Sequence, residues 1–116
     1  MPVLDRLNRL AGGAIADLRE GDFDGFVQGS RLVFVDFWAS WCRPCRAMAP
    51  VVRSLAREYT DIAFGKVDTE AERELAERFA VRSIPTYLLF RNGKVVERFP
   101  GVATRDRLAR KIEKWR

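Results

Sequence analysis

The spacing of apolar residues changes period along this chain, and each change marks an element. Leu32-Val33-Phe34-Val35-Asp36-Phe37-Trp38 is a nearly unbroken apolar run of strand length, the pattern of a strand covered on both faces. The run Arg46 to Ala56 that follows reads as part of a helix from about residue 42 to 57. Pro50 inside it is expected to kink it, because proline removes a backbone donor and clashes with the preceding turn. Ile62 to Val67 predicts a strand, and Glu70 to Ala80 a helix with Leu75, Ala76 and Phe79 on one face. The apolar runs 86–90 and 95–99 flank Arg91-Asn92-Gly93-Lys94. Asn-Gly between two such runs is a strong hairpin signal. Thr104 is placed to cap a last helix running to Trp115, with Leu108, Ile112 and Trp115 at helical spacing.

Before this core, Ala14 to Leu18 predicts a weakly marked first strand, and Asp22 to Gln28 a short helix turning Phe23, Phe26 and Val27 inward. Residues 1–13 stand apart as an N-terminal extension. Val3, Leu4, Leu7, Leu10 and Ala11 fall on one face of a short amphipathic helix that Gly12-Gly13 would end, and packing on its own domain is its expected use. Residues 14–116 then form one domain. The alternating elements call for parallel strands joined by crossover helices, and the hairpin adds antiparallel ones. The expected fold is α/β: a central mixed sheet of about five strands with helices on both faces.

Composition narrows the possibilities. A chain of 116 residues with 47% hydrophobic content can bury a core without a staple. The net charge is +5, but residues 1–30 hold three Arg against five Asp or Glu, so the remainder carries +7. The tail from Thr104 to Arg116 has six basic and two acidic residues. Their alternation with apolar residues is that of a solvated helix face, so neither nucleic acid nor a membrane surface is the expected partner. No apolar run approaches the roughly 20 residues that span a bilayer. Arg6 and Arg9 break up the N-terminal apolar positions, which leaves no signal-like core. The expected setting is the reducing cytoplasm, and the expected state a monomer.

The chemistry is concentrated in Trp41-Cys42-Arg43-Pro44-Cys45, which holds both cysteines of the protein. A ring this small restrains little of the unfolded chain, so a structural disulfide is a weak explanation. A closed zinc site needs about four ligands, and the chain has no histidine and no second cysteine pair. A strand leading into Cys-x-x-Cys at the start of a helix is a redox arrangement. The first thiol meets unpaired N–H groups and the positive end of the helix dipole. Asp36 interrupts the apolar strand. It is either a buried acid of raised pKa or a strand-end residue that reaches solvent. No Gly-rich nucleotide turn is present, and no bound cofactor is expected.

The chain strongly resembles the thioredoxin family. The resemblance rests on Val35-Asp36-Phe37-Trp38-Ala39-Ser40-Trp41-Cys42-Arg43-Pro44-Cys45, then Pro50, Lys66, Ile84-Pro85-Thr86, the Asn92-Gly93 turn and Gly101. It covers about 100 residues in order. There are two departures: Arg43 stands where the commonest family sequence has Gly, and the chain starts roughly ten residues early.

The resemblance implies a thioredoxin fold and a protein-disulfide oxidoreductase carrying electrons through a reversible Cys42–Cys45 disulfide. Cys42 is the expected nucleophile, its pKa lowered from about 8.5 by the helix and by Arg43. Cys45 is expected to be the resolving thiol and the more buried of the two. Asp36 becomes the proton acceptor for Cys45, with Lys66 tuning it. Pro85 is expected to be cis and to leave the Ile84 backbone free to pair with an extended client. Trp41, Arg43, Pro44, Ile84, Pro85, Gly101 and Val102 would form the client-binding surface, while Trp38 is expected to serve core packing. The implied partners are disulfide-containing client proteins and a thioredoxin reductase. The alternatives are a disulfide oxidase or isomerase shifted to higher potential by Arg43, and a binding module of the same fold with incidental cysteines.

Overall fold

Strand β2 (Leu32–Trp38) organises the domain because successive side chains point to opposite faces. Val33, Val35 and Phe37 face one side and Phe34, Asp36 and Trp38 the other, so one strand feeds two cores. The computed structural model describes residues 13–116. Its elements, in chain order, are β1 (Ile15–Asp17), α1 (Glu20–Gln28), β2, α2 (Arg43–Glu58), β3 (Ala63–Asp68), α3 (Arg73–Arg78), β4 (Thr86–Arg91), β5 (Lys94–Pro100) and α4 (Arg105–Trp115). The expected helix at the N-terminus lies outside the described residues, Gly13 excepted.

The strands form one five-stranded sheet in the order β1-β3-β2-β4-β5. β1 and β2 both run parallel to β3, and β4 runs antiparallel to β2 and β5. Phe34, Phe64, Tyr87, Leu89 and Phe99 on one face pack with Met48, Val52 and Leu55 of α2 and with Leu108 and Ile112 of α4. On the other face Val33, Val35, Phe37, Leu88 and Phe90 pack with Phe23 and Phe26 of α1 and Leu75 of α3. Full burial of a side chain of this size contributes about 1.5–3 kcal/mol. Gly65 of β3 lets α1 and its flanking residues come close: a Cβ there would lie 2.5 Å from Leu18 Cδ1 and 3.2 Å from Phe26 Cε2.

The hairpin turns on Asn92 and Gly93, with φ of 52° and 81°, the left-handed pair that a two-residue turn requires. Thr104 caps α4 through its side-chain oxygen, which accepts from the Arg107 N–H at 3.2 Å. Pro50 lies within one continuous helix, α2. The helix expected over Glu70 to Ala80 is shorter. Asp68 Oδ1 accepts from the N–H groups of Glu70 at 2.9 Å and Ala71 at 3.3 Å, which holds that segment as a turn, and α3 begins only at Arg73.

Candidate active site

β2 ends at the surface and the chain re-enters as α2, so Cys42 becomes the N-cap of α2. Its Sγ accepts from the Cys45 N–H at 3.2 Å, which satisfies one of the donors a helix start leaves open. Pro44 sits in the first turn, where its missing donor costs nothing. Arg46 Nη1 donates to the Ser40 carbonyl at 2.8 Å and ties the loop to the helix. Cys42 and Cys45 are joined in a disulfide with Cα atoms 5.3 Å apart.

The loop before β4 faces this pair. The Ile84–Pro85 bond is cis, and the Ile84 carbonyl oxygen lies 3.8 Å from Cys42 Sγ. Thr86 is buried and its Oγ1 donates to the Ser83 carbonyl at 2.7 Å, fixing the loop. Ladder pairing with β2 starts only at Thr86, so the Ile84 backbone takes no part in it. The Gly101 N–H donates to the Pro85 carbonyl at 2.7 Å. Gly101 holds φ at +85°, a conformation glycine adopts without strain. This brings Val102 beside the loop. Trp41 is 65% and Val102 63% exposed, and with Pro44 and the half-buried Ile84 they give an apolar rim around the disulfide; Pro85, expected on that surface, is itself buried beneath it, because β4 begins at the next residue. Trp41 Nε1 donates to Glu70 Oε1 at 2.8 Å, which holds the indole in place.

Asp36 lies beneath this surface. Its neighbours across the sheet are Lys66 of β3 and Tyr87 of β4. The residue keeps a little accessible surface, but its Oδ1 is buried without a hydrogen-bond partner. That burial pushes its pKa up to about 7, with the Lys66 charge partly opposing the rise. A cavity of about 150 Å³ lined by Asp36, Trp38, Cys45, Arg46, Ala49 and Lys66 connects the acid to Cys45. A second, of about 340 Å³, opens on the other side of Asp36 and Lys66 towards Arg53 and Arg57. Among the described residues no cluster of three His, Cys, Asp or Glu could hold a metal ion.

Two expectations need correction. Cys45 is not the more buried cysteine: its relative exposure is 7% against 3% for Cys42. Cys42 is covered by the Ile84 carbonyl, whereas Cys45 walls the cavity beside Asp36. Trp38 is not an ordinary core residue either. It is half-buried and packs on Ala39, Cys42 and Cys45, with Lys66 Nζ 5.2 Å from its ring centroid. Alternation along β2 could have placed it there, since Trp38 shares a face with Asp36. Glu70 carried no such sequence signal, because its contact spans 29 residues.

A family model described as thioredoxin matches residues 14–114. The chain is 46% identical over 85 residues to a thioredoxin of Chlamydia muridarum, covering 73% of this chain and 83% of that one. It is 43% identical over 98 residues to the chloroplastic thioredoxin M5 of Oryza sativa, covering 83% of this chain and 57% of that one. Among solved structures, a mutant thioredoxin of Halobacterium salinarum superposes with a TM-score of 0.85 at 33% identity, covering 90% of this chain and 93% of the other. Some curated relatives are longer: the chain spans 63% of one from Streptomyces coelicolor and 57% of one from Spinacia oleracea. With nearly all of its described length matched by the family model, and a cysteine pair at the head of α2 facing a cis proline, this chain belongs to the thioredoxin family.

Proposed function

We propose that the chain is a protein-disulfide oxidoreductase that reduces disulfides in client proteins and is itself recharged by a thioredoxin reductase. The observation that carries this reading is the disulfide at the N-terminus of α2, ringed by an exposed apolar rim and backed at Cys45 by a cavity that leads to a buried acid. In the reduced form the Cys42 thiolate attacks one sulfur of a client disulfide. The second client sulfur leaves as a thiolate, and a mixed disulfide to Cys42 remains. Cys45 gives its proton to Asp36 and attacks Cys42 Sγ, which expels the remaining client sulfur as a thiolate. The client gains two electrons and the Cys42–Cys45 disulfide forms.

Lys66 keeps Asp36 able to ionise near neutral pH. Trp41, Arg43, Pro44, Ile84, Gly101 and Val102 form the docking rim above the buried Pro85, and the Ile84 backbone offers an extended client segment a strand to pair with. No bound cofactor is required, and the expected working form is a monomer in the cytoplasm. No described helix is long and apolar enough to cross a membrane.

Reduction of insulin disulfides by the full chain, with dithiothreitol as electron source, tests the reading. Wild type is expected to accelerate the reaction and Cys42→Ser to leave only the background rate. Equal rates for the two proteins would mean that the cysteines are incidental and that the fold serves binding alone.

A further inference from the structure

Tyr87 places a hydroxyl where the core has no evident need of one. The residue has no exposed surface, and its ring packs on Phe34 at a centroid distance of 5.4 Å in a cluster that also holds Phe64 and Phe99. A phenylalanine would make the same apolar contacts without the cost of desolvating a hydroxyl. Among the described residues, only four buried side-chain polar atoms lack a hydrogen-bond partner: Asp36 Oδ1, Trp38 Nε1, the Tyr87 hydroxyl and Arg91 Nε.

Two of these atoms belong to residues paired across the sheet. Asp36 pairs with Tyr87 across the β2–β4 ladder and with Lys66 across the β2–β3 ladder, so the three side chains form one row on the face covered by α2. Directly opposed residues have Cβ atoms about 4.5–5.5 Å apart, within reach of a phenol. Buried polar groups are rarely left unpaired, and an ionised carboxylate is the acceptor that most needs a donor.

We propose that Tyr87 is a positioning residue for Asp36: its hydroxyl donates a hydrogen bond to the carboxylate when Asp36 ionises, and so sets the pH at which the acid exchanges its proton. The proposal rests on the reading of Asp36 as the proton acceptor for Cys45. The charged and titratable groups around Asp36 are Lys66 from β3, Tyr87 from β4, and Cys45, Arg46, Arg53 and Arg57 from α2, the last four reaching it across the two cavities. Among them Tyr87 carries a neutral hydroxyl donor on the residue paired with Asp36 across the sheet. Burial, and after it the Asp36 charge, push the Tyr87 pKa up, so the phenol stays protonated and able to donate. Donation to the anion favours the charged form. Loss of the hydroxyl therefore raises the pH at which Asp36 ionises and slows resolution of mixed disulfides at neutral pH.

Carbon-13 NMR titration of the oxidised full chain tests this, with the Asp36 carboxyl and the Tyr87 ζ-carbon as probes. In Tyr87→Phe the Asp36 midpoint is expected to rise by at least about 0.5 pH unit, a threefold change in proton affinity. A merely structural role for the ring would leave the midpoint where it is, and an unchanged or lowered midpoint overturns the proposal. Should Tyr87→Phe fail to fold, the wild type decides. Its Tyr87 ζ-carbon is expected to titrate with the Asp36 midpoint and to lose that response in Asp36→Asn. A Tyr87 signal that is flat through the Asp36 transition overturns the proposal equally. Neither readout involves a client disulfide, so a failure of the proton-acceptor reading, seen as unimpaired resolution in Asp36→Asn, is told apart from a failure of the Tyr87 contact.

Discussion

Replacing Asp36 by Asn should stabilise the protein, and the gain should depend on pH in a specific way. Folding raises the Asp36 pKa from 3.8 to about 7 through burial. The folded state therefore holds a proton that the unfolded chain has already released in this range. Stability falls wherever the unfolded state binds fewer protons, so the wild type is penalised as pH rises through the window between these two values, and the penalty is constant above it. A shift of about three units at 1.36 kcal/mol each gives a full penalty of about 4 kcal/mol, of which about 1.5 kcal/mol is present at pH 5.

Asn cannot ionise, so the variant escapes this penalty. The raised pKa already includes the attraction of Lys66; the carboxylate's opening onto the cavity reduces the gain, and about 2–4 kcal/mol at pH 8 is the expected range. Urea unfolding of the oxidised proteins at fixed ionic strength, from about pH 4 to 8.5, measures it. The chain contains no histidine, so the other side chains that titrate in the window are carboxylates at its acid end, and these cancel in the difference between the two proteins. A stability difference that is the same at pH 4 and pH 8, or one that shrinks with pH, would refute the argument that Asp36 is buried at a cost.

Cys42→Ser should abolish client reduction, whereas Cys45→Ser should accumulate mixed disulfides, because the two thiols attack in that order; covalent complexes recovered from Cys42→Ser alone would reverse the assignment. Arg43→Gly should make the protein more reducing by no more than about 30 mV, since the exposed cation favours the thiolate form and solvent screens it. Equilibration with glutathione at low and high salt measures this, and identical potentials at both salt levels would leave Arg43 a recognition residue only. Gly65→Ala should cost about 1–3 kcal/mol in denaturant unfolding, because its Cβ would fall 2.5 Å from Leu18 Cδ1; an unchanged midpoint would mean that Leu18 and Phe26 repack freely.

Much of this molecule is written in local patterns. The apolar run of β2, the Asn92-Gly93 turn and the Thr104 cap each depend on residues a few positions apart, so period and turn chemistry are enough to place them. The Cys42–Cys45 pair is legible for the same reason, since a spacing of three on a helix start brings two sulfurs together. Asp36 is legible as an anomaly in an apolar strand, though not which way its burial would fall. The length of α3 is not legible in the sequence, because Asp68 caps the turn ahead of it and no periodicity reports a side-chain cap of that kind. Contacts between distant segments were beyond reach. Glu70 holding Trp41, Trp38 walling the cavity, Cys45 more open than Cys42, and Tyr87 set beside Asp36 all depend on how strands and loops far apart in the chain come into register. That register is fixed by burying both faces of the sheet at once, a condition on the whole fold that no short stretch of sequence carries.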